Sequence, residues 1–359
     1  MSPLLHVKPS EMDPDFPNTL HSMNRRQVLK CAMAAALPFG VAACAGPREN
    51  YLQVGGLPVT CNLTLPVACV ANATSNSRAA ADGPKFEFAY SKYSGWPEIK
   101  ESLMAGRVQA AYMLAPLVMD LADKRIPVKI VSLGHRSGAV IMVRTDSPYD
   151  TFRQLKGKTI AIPSRFAVDF LFLRRMLAEE GMSHDDVRLI EMPPPDMPAA
   201  LYANAVDAYC TGEPFGAAAE RAGYAKPLRM TRDEWPSYIC CVLTVRENLI
   251  EENPAMLQEL VNYVLGAGQW LDATQENRDT AADIAAGIKF FNQDPEIIRY
   301  VMQNPVDRVT YGDLRMIRSE FEELMQLSIE AGTISHPIAY EKYVDETFAR
   351  NAQPATIPL

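Results

Sequence analysis

From residue 51 onward, short apolar runs alternate with amphipathic stretches. "YLQVGGL" (51–57), "KFEFAYSKY" (85–93), "QAAYMLA" (109–115) and "VKIVSLG" (128–134) read as strands from their β-branched and aromatic content. "AVIMVR" (139–144) is apolar throughout, as a strand covered on both faces is. "PEIKESLMAG" (97–106) has helical spacing, with Gly106 as its stop. A second series follows. "KTIAIP" (158–163), "VRLIEMP" (187–193), "DAYCTG" (207–212) and "SYICCVLTVRENL" (237–249) predict strands. Between them, 169–181, closed by Gly181, and 197–206 and 213–223 predict helices. The polar patch Ala71–Pro84 reads as loop.

Past residue 250 the pattern becomes helical. Asn253-Pro254 and Asp294-Pro295 each put a capping residue before proline at the first helical position. Leu314, Ile317, Phe321, Leu324, Met325 and Ile329 recur at three- and four-residue steps before Gly332. Strands alternating with helices predict an α/β protein of βαβ units with largely parallel pairing. The apolar face Leu257, Leu260, Val261, Val264 and Leu265 must bury against something, and the first α/β block is its natural partner. The chain would then cross between blocks near Arg144–Ser147 and return near Val242–Arg246. Two crossings make a hinge with a cleft. The expected boundaries are 51–145 plus 247–350 for lobe I and 146–246 for lobe II.

Residues 1–44 carry a different signal. Arg25-Arg26 precedes an apolar run of only thirteen residues between Lys30 and Cys44. A membrane span needs about 20 apolar residues, and Pro38 and Gly40 would break a buried helix after about two turns. A basic start, a short apolar core and small residues fit an export leader. Arg25-Arg26 with Leu29-Lys30 resembles the bacterial twin-arginine signal. Val41-Ala42-Ala43-Cys44 resembles a lipobox, which makes Cys44 the lipidated first residue of the mature chain. Met1 and Met23 are both candidate starts.

Composition narrows the partners. The net charge is −8 over 359 residues, and no basic stripe appears, so nucleic acid is not expected. Removing the leader takes Lys8, Arg25, Arg26 and Lys30 against Glu11, Asp13 and Asp15, which leaves the remainder slightly more acidic. Of the later cysteines, Cys61, Cys69, Cys210, Cys240 and Cys241, none forms a CxxC pair with metal spacing. Buried free thiols are the expected state. No metal or cofactor is expected. GxSxG, HExxH and GxGxxG are absent. "GKT" at 157–159 mimics the end of a phosphate-binding loop, but Phe152 stands where its first glycine belongs. His135, His184 and His336 are too far apart in sequence to form a site without help from the fold.

"LKGKTIAIP" (155–163) resembles the strand that opens the second lobe of type II periplasmic binding proteins. "PPPDMPAALYANAVDAYCTGEP" (193–214), with its Gly-Glu-Pro turn, is similar to the nitrate/sulfonate/bicarbonate branch of ABC-transporter substrate-binding proteins, related to the NMT1/THI5-like group. "GWPEIKESLMAGRVQAAYMLAPL" (95–117) and "VGGLPVTCNLTLPVA" (54–68) resemble its first lobe. The resemblance spans about 51–350. It implies a monomeric receptor, not an enzyme, at the periplasm or cell surface. There it is lipid-anchored and delivers a small anionic or heterocyclic solute to a permease in the cytoplasmic membrane.

Ligand contacts are expected in the loops after the strands. Thr60 and Asn62 follow the first strand and can donate to an anion or carbonyl; ordinary turn residues are the competing reading. Trp96 stands where the nitrate branch has a ligand-facing tryptophan. Met113 and Pro116 end the third strand, and Ser137 precedes the crossing strand. Ser164, Arg165 and Phe166 open a helix whose free N–H groups suit an anion. Glu213 either binds a cationic or N–H group or caps the next helix. Nitrate receptors carry a histidine just after the strand equivalent to 158–163, and "PSRFAVDFLFLRR" has none, which disfavours nitrate itself. Two other roles stay open: a pyrimidine-synthase-like enzyme of the same fold, for which Cys240-Cys241 would matter, and a sensory solute receptor.

Overall fold

The computed structural model describes residues 50–78 and 86–359. The leader and Cys44 lie outside the described residues. Two five-stranded sheets form the body. The first uses β1 (Tyr51–Gly56), β2 (Glu87–Lys92), β3 (Ala110–Leu114), β4 (Val128–Leu133) and β11 (Cys241–Arg246), in the order β2-β1-β3-β11-β4. The second uses β6 (Ala139–Arg144), β7 (Thr159–Ile162), β8 (Arg188–Glu191), β9 (Ala208–Gly212) and β10 (Ala225–Met230), in the order β10-β6-β9-β7-β8. A small pair joins β5 (Arg136–Ser137) to β12 (Val309–Thr310).

Pairing is mixed rather than largely parallel. The returning strand β11 runs antiparallel to β3 and β4, and β6 runs antiparallel to β9 and β10. An apolar run marks a buried strand but carries no direction, so sequence could not supply this. The crossings also come earlier than Arg144–Ser147 and Val242–Arg246. "AVIMVR" (139–144) already pairs in the second sheet, and the return is complete where β11 begins at Cys241.

The two crossing segments are tied together. Ser137 N donates to Tyr238 O at 3.1 Å, Ser237 N donates to Ser137 Oγ at 3.2 Å, and Thr231 Oγ1 donates to Ala139 O at 2.9 Å. Ser137 and Ser237 have positive φ, 62° and 60°. These bonds make the crossings a paired ribbon rather than loose linkers.

Helices cover both sheets. The helix Thr64–Arg78 replaces the first part of the expected loop, and its buried residues include Leu65, Pro66, Val67, Ala68 and Ala71. The long helix Pro254–Ala273 packs on it through Leu257, Leu260, Val261 and Val264, as the apolar face required. Gly106, Gly181 and Gly332 all end helices with φ near +70°, the left-handed conformation that favours glycine. Among the described residues, no helix is long and apolar enough to cross a membrane.

Candidate functional site

The sheets meet where their strands end. After β1 the chain turns tightly: Asn62 Oδ1 accepts from Leu57 N at 2.8 Å. The turn presents Thr60, whose backbone N and Oγ1 both donate to Glu213 O, at 2.8 and 3.0 Å. Glu213 follows β9, so this is a direct bond from the first sheet's loops to the second's. Tyr311 OH holds the same turn from the C-terminal segment, donating to Thr60 O at 2.9 Å. Beside it the Cys61 sulfur fills the space between Gly138 and Gly212. A Cβ on Gly212 would stand 3.0 Å from that sulfur, and one on Gly138 3.2 Å.

A small cavity of about 10 Å³ lies in this seam. Cys61, Trp96, Leu114 and Cys240 line it from the first sheet's side, and Asp169 and Thr211 from the second's. Larger hollows are open grooves at the surface, such as that between the helix Thr64–Arg78, strand β2 and the turn at Phe290. Ligands of α/β proteins favour the carboxyl ends of strands, so the seam is the better site. Buried polar atoms without a protein partner gather here: Asp169 Oδ1, Thr211 Oγ1, Asn62 Nδ2, Tyr238 OH and both ring nitrogens of His135. Unpaired polar atoms are costly in a protein interior, which makes them natural contacts for a bound solute.

The electrostatics are those of a dry site. Burial, with the Cys240 charge beside it, pushes the Asp169 carboxyl well above the usual carboxylate range. The Cys61 thiol is pushed up by its bond to Cys240 and by burial. Cys240 is held well below the ordinary thiol value by Cys241 and Cys61, against the effect of burial. Among the described residues, the cavity lining contains no lysine or arginine.

Of the residues expected to meet the solute, only Trp96 lines the cavity. Thr60 and Asn62 flank Cys61 and are fully buried. Met113 and Pro116 bracket Leu114, buried in strand β3 and at the start of the following helix. Ser137 serves the paired crossing. Ser164 caps its own turn, accepting from Phe166 N at 3.1 Å. Phe166 is half-buried under Lys124, whose nitrogen is 5.6 Å from the ring centre. Arg165 is not brought to the cavity lining. Its side chain is 46% exposed and faces Glu191, with Nε 3.6 Å from Oε1. Glu213 is fully buried, but its carboxylate is already engaged. Oε2 accepts from Ala217 N at 2.9 Å, the capping role, and Oε1 accepts from Arg308 Nε at 2.6 Å.

The residues missed from sequence are those that only folding brings together. Arg308 lies 95 positions from Glu213. His135 and Cys240 come from two separate loops, and Asp169 from the first turn of the helix Val168–Glu179. Cys240-Cys241 had stood out as a pair, but only Cys240 joins Cys61 and His135, their donor atoms lying within 4.8 Å of one another. All five described cysteines are free and buried, as expected.

The NMT1-like family matches residues 45–286. The "Nitrate/nitrite binding protein NrtA" of Nostoc is 28% identical over 62% of the chain, and the chain spans 55% of that relative's length. The ligand-binding component of an ABC-type import system from Staphylococcus aureus, solved with zinc bound, aligns over 85% of this chain and 100% of its own, with a TM-score of 0.75 and 25% identity. The periplasmic nitrate-binding protein NrtA from Synechocystis aligns over 85% of this chain and 88% of its own, with a TM-score of 0.75 and 18% identity. The architecture is therefore the two-lobed type II fold of periplasmic solute-binding proteins.

Proposed function

The chain belongs to the NMT1-like family, and on that premise we propose that it is the solute-binding receptor of an ABC importer. It captures a small solute between its lobes and passes it to a membrane permease without altering it. Lobe I is the first sheet with the helical tail, and lobe II is the second sheet. One observation carries the reading. Thr60, on a strand-end loop of the first sheet, makes two direct bonds to Glu213 on one of the second, beside a cavity walled by both. Two α/β bodies joined by a paired ribbon can open at those bonds and hinge about the ribbon.

The leader supports an extracytoplasmic, lipid-anchored chain. A Cys44→Ala chain is expected to leave the membrane fraction for the soluble one; retention on the membrane would remove the anchor from this reading.

A thermal-shift screen of nitrate, bicarbonate, alkylsulfonates, aromatic acids and pyrimidines tests the receptor role. A true solute at 100 times its dissociation constant adds about 2.7 kcal/mol of stability. Arg165→Ala is expected to keep the shift, because its exposed pairing with Glu191 is worth at most about 1 kcal/mol and touches no cavity atom. Turnover of any of these solutes by the purified chain would replace the receptor with an enzyme.

A further inference from the structure

We propose that the seam takes a thiophilic metal cation of the zinc class, held by Cys61, His135 and Cys240 with Asp169 as the fourth donor. The proposal rests on the seam being the receptor's solute site and names the solute's chemistry.

Three donor atoms, two thiol sulfurs and an imidazole nitrogen, lie within 4.8 Å of one another, and all three residues are buried. Two zinc–sulfur bonds of about 2.3 Å span at most about 4.6 Å, so small side-chain rotations suffice to close the set on an ion. Thiolate and imidazole together select borderline-soft ions over magnesium or calcium. Neither His135 nitrogen has a hydrogen bond of good geometry, although the Cys240 thiol faces the ring. The Asp169 carboxylate is 3% exposed, shares the cavity wall with both sulfurs, and has Oδ1 unpaired. A cavity of about 10 Å³ is about the room one water needs. It suits a single ion better than a polyatomic solute. The lining also offers acceptors and no cationic side chain, the balance a cation requires.

The donors are divided in a way that couples binding to closure. Cys61, His135 and Cys240 adjoin β1, β4 and β11 of the first sheet, whereas Asp169 opens the helix Val168–Glu179 behind β7 of the second. An ion caught by three donors on one lobe draws the fourth across from the other.

The test uses the full chain, reduced and stripped of metal, titrated with Zn²⁺ against a chromophoric chelator, and with Co²⁺ followed by its thiolate charge-transfer absorption. One equivalent is expected. Cys61→Ser and Cys240→Ser should each lower zinc affinity by more than the 10–100-fold typical of outer partners, and weaken the cobalt band, since one thiolate remains. Asp169→Asn should weaken zinc by about 10-fold. Cys69→Ser, a buried thiol outside the seam, should leave both readouts unchanged. Far-UV circular dichroism and urea midpoints show that each variant folds, and His135→Gln repeats the test without touching a sulfur. Zinc binding that survives both serine variants, or no uptake at all, overturns the proposal. If the solute screen then finds an organic ligand, the receptor reading stands without the metal. If zinc binds through these residues but no permease partner is served, the site stands and the receptor reading falls.

Discussion

Arg308→Met is expected to lower the unfolding free energy by about 3–5 kcal/mol, the cost of leaving one member of a buried ion pair uncompensated. The Arg308 side chain is 2% exposed and that of Glu213 is fully buried. Nε and a terminal nitrogen of Arg308 lie 2.6 and 2.5 Å from Glu213 Oε1, and Nη1 and Nη2 reach Glu220 Oε2 at 3.1 and 3.2 Å. Burial opposes the guanidinium charge, but the Glu213 and Glu220 carboxylates overcome it and hold the pKa above its usual value. Methionine matches the stem and supplies no charge. Glu213 would then keep only the Ala217 N–H. Glu220 is a quarter exposed and can turn to water. Adding Glu213→Gln should recover much of the loss, because it removes the stranded charge; a double-mutant cycle in urea measures the coupling. A loss under about 1 kcal/mol for the single variant would show that water reaches Glu213. The pair also bears on function. Glu213 O is the acceptor for Thr60, so the ion pair anchors the residue that latches the sheets together.

The central strands β3, β4, β6, β7, β9 and β11 were legible because they are buried almost throughout, and a continuous apolar run has few other uses. The helix Thr64–Arg78 was harder to read. Its second half, "ANATSNSR", is polar and rich in residues that favour turns. Tertiary cover from Pro254–Ala273 holds it helical, and no local pattern announces that cover. Strand β10 escaped notice because Pro227 interrupts it. It is an edge strand with a register shift between Pro227 and Arg229, a tolerated place for proline. The site followed the same division. Looking at strand ends led to loops that border the cavity, since Thr60, Asn62, Met113 and Ser164 all neighbour residues of its lining. The chosen side chains were mostly those with obvious polarity or charge. Arg165 had an exposed partner in Glu191, and Glu213 had a buried one in Arg308; neither partner is near in sequence. Cys61 carries no signal of its own between Thr60 and Asn62, because its meaning depends on Cys240 and His135, which only the fold brings beside it.

Arg136→Met should cost about as much as Arg308→Met, and Arg136→Lys should restore less than half of it. All five guanidinium N–H groups are used. Nε donates to Asp313 O at 2.7 Å, Nη1 to Ser237 O at 2.7 Å and Glu320 Oε1 at 3.1 Å, and Nη2 to Arg315 O at 2.8 Å and Glu320 Oε2 at 2.9 Å. Methionine would strand three carbonyls, each losing a charged hydrogen bond worth about 1.5–3 kcal/mol, offset in part where water enters. Lysine keeps the charge, but an ammonium has no planar fork and cannot serve carbonyls on three sides at once. The partners explain why the position matters. Arg136 lies on the outgoing crossing, Ser237 on the returning one, and Asp313, Arg315 and Glu320 on the helical tail. One side chain therefore bolts both crossings to the tail, and in the receptor proposed above the lobes hinge about that bolt. In Arg136→Lys, amide exchange should rise first at 134–138 and 235–240, at denaturant levels that leave both sheets protected. Exchange that rises evenly over the whole chain would mean that Arg136 supports general stability and that the ribbon moves independently of it.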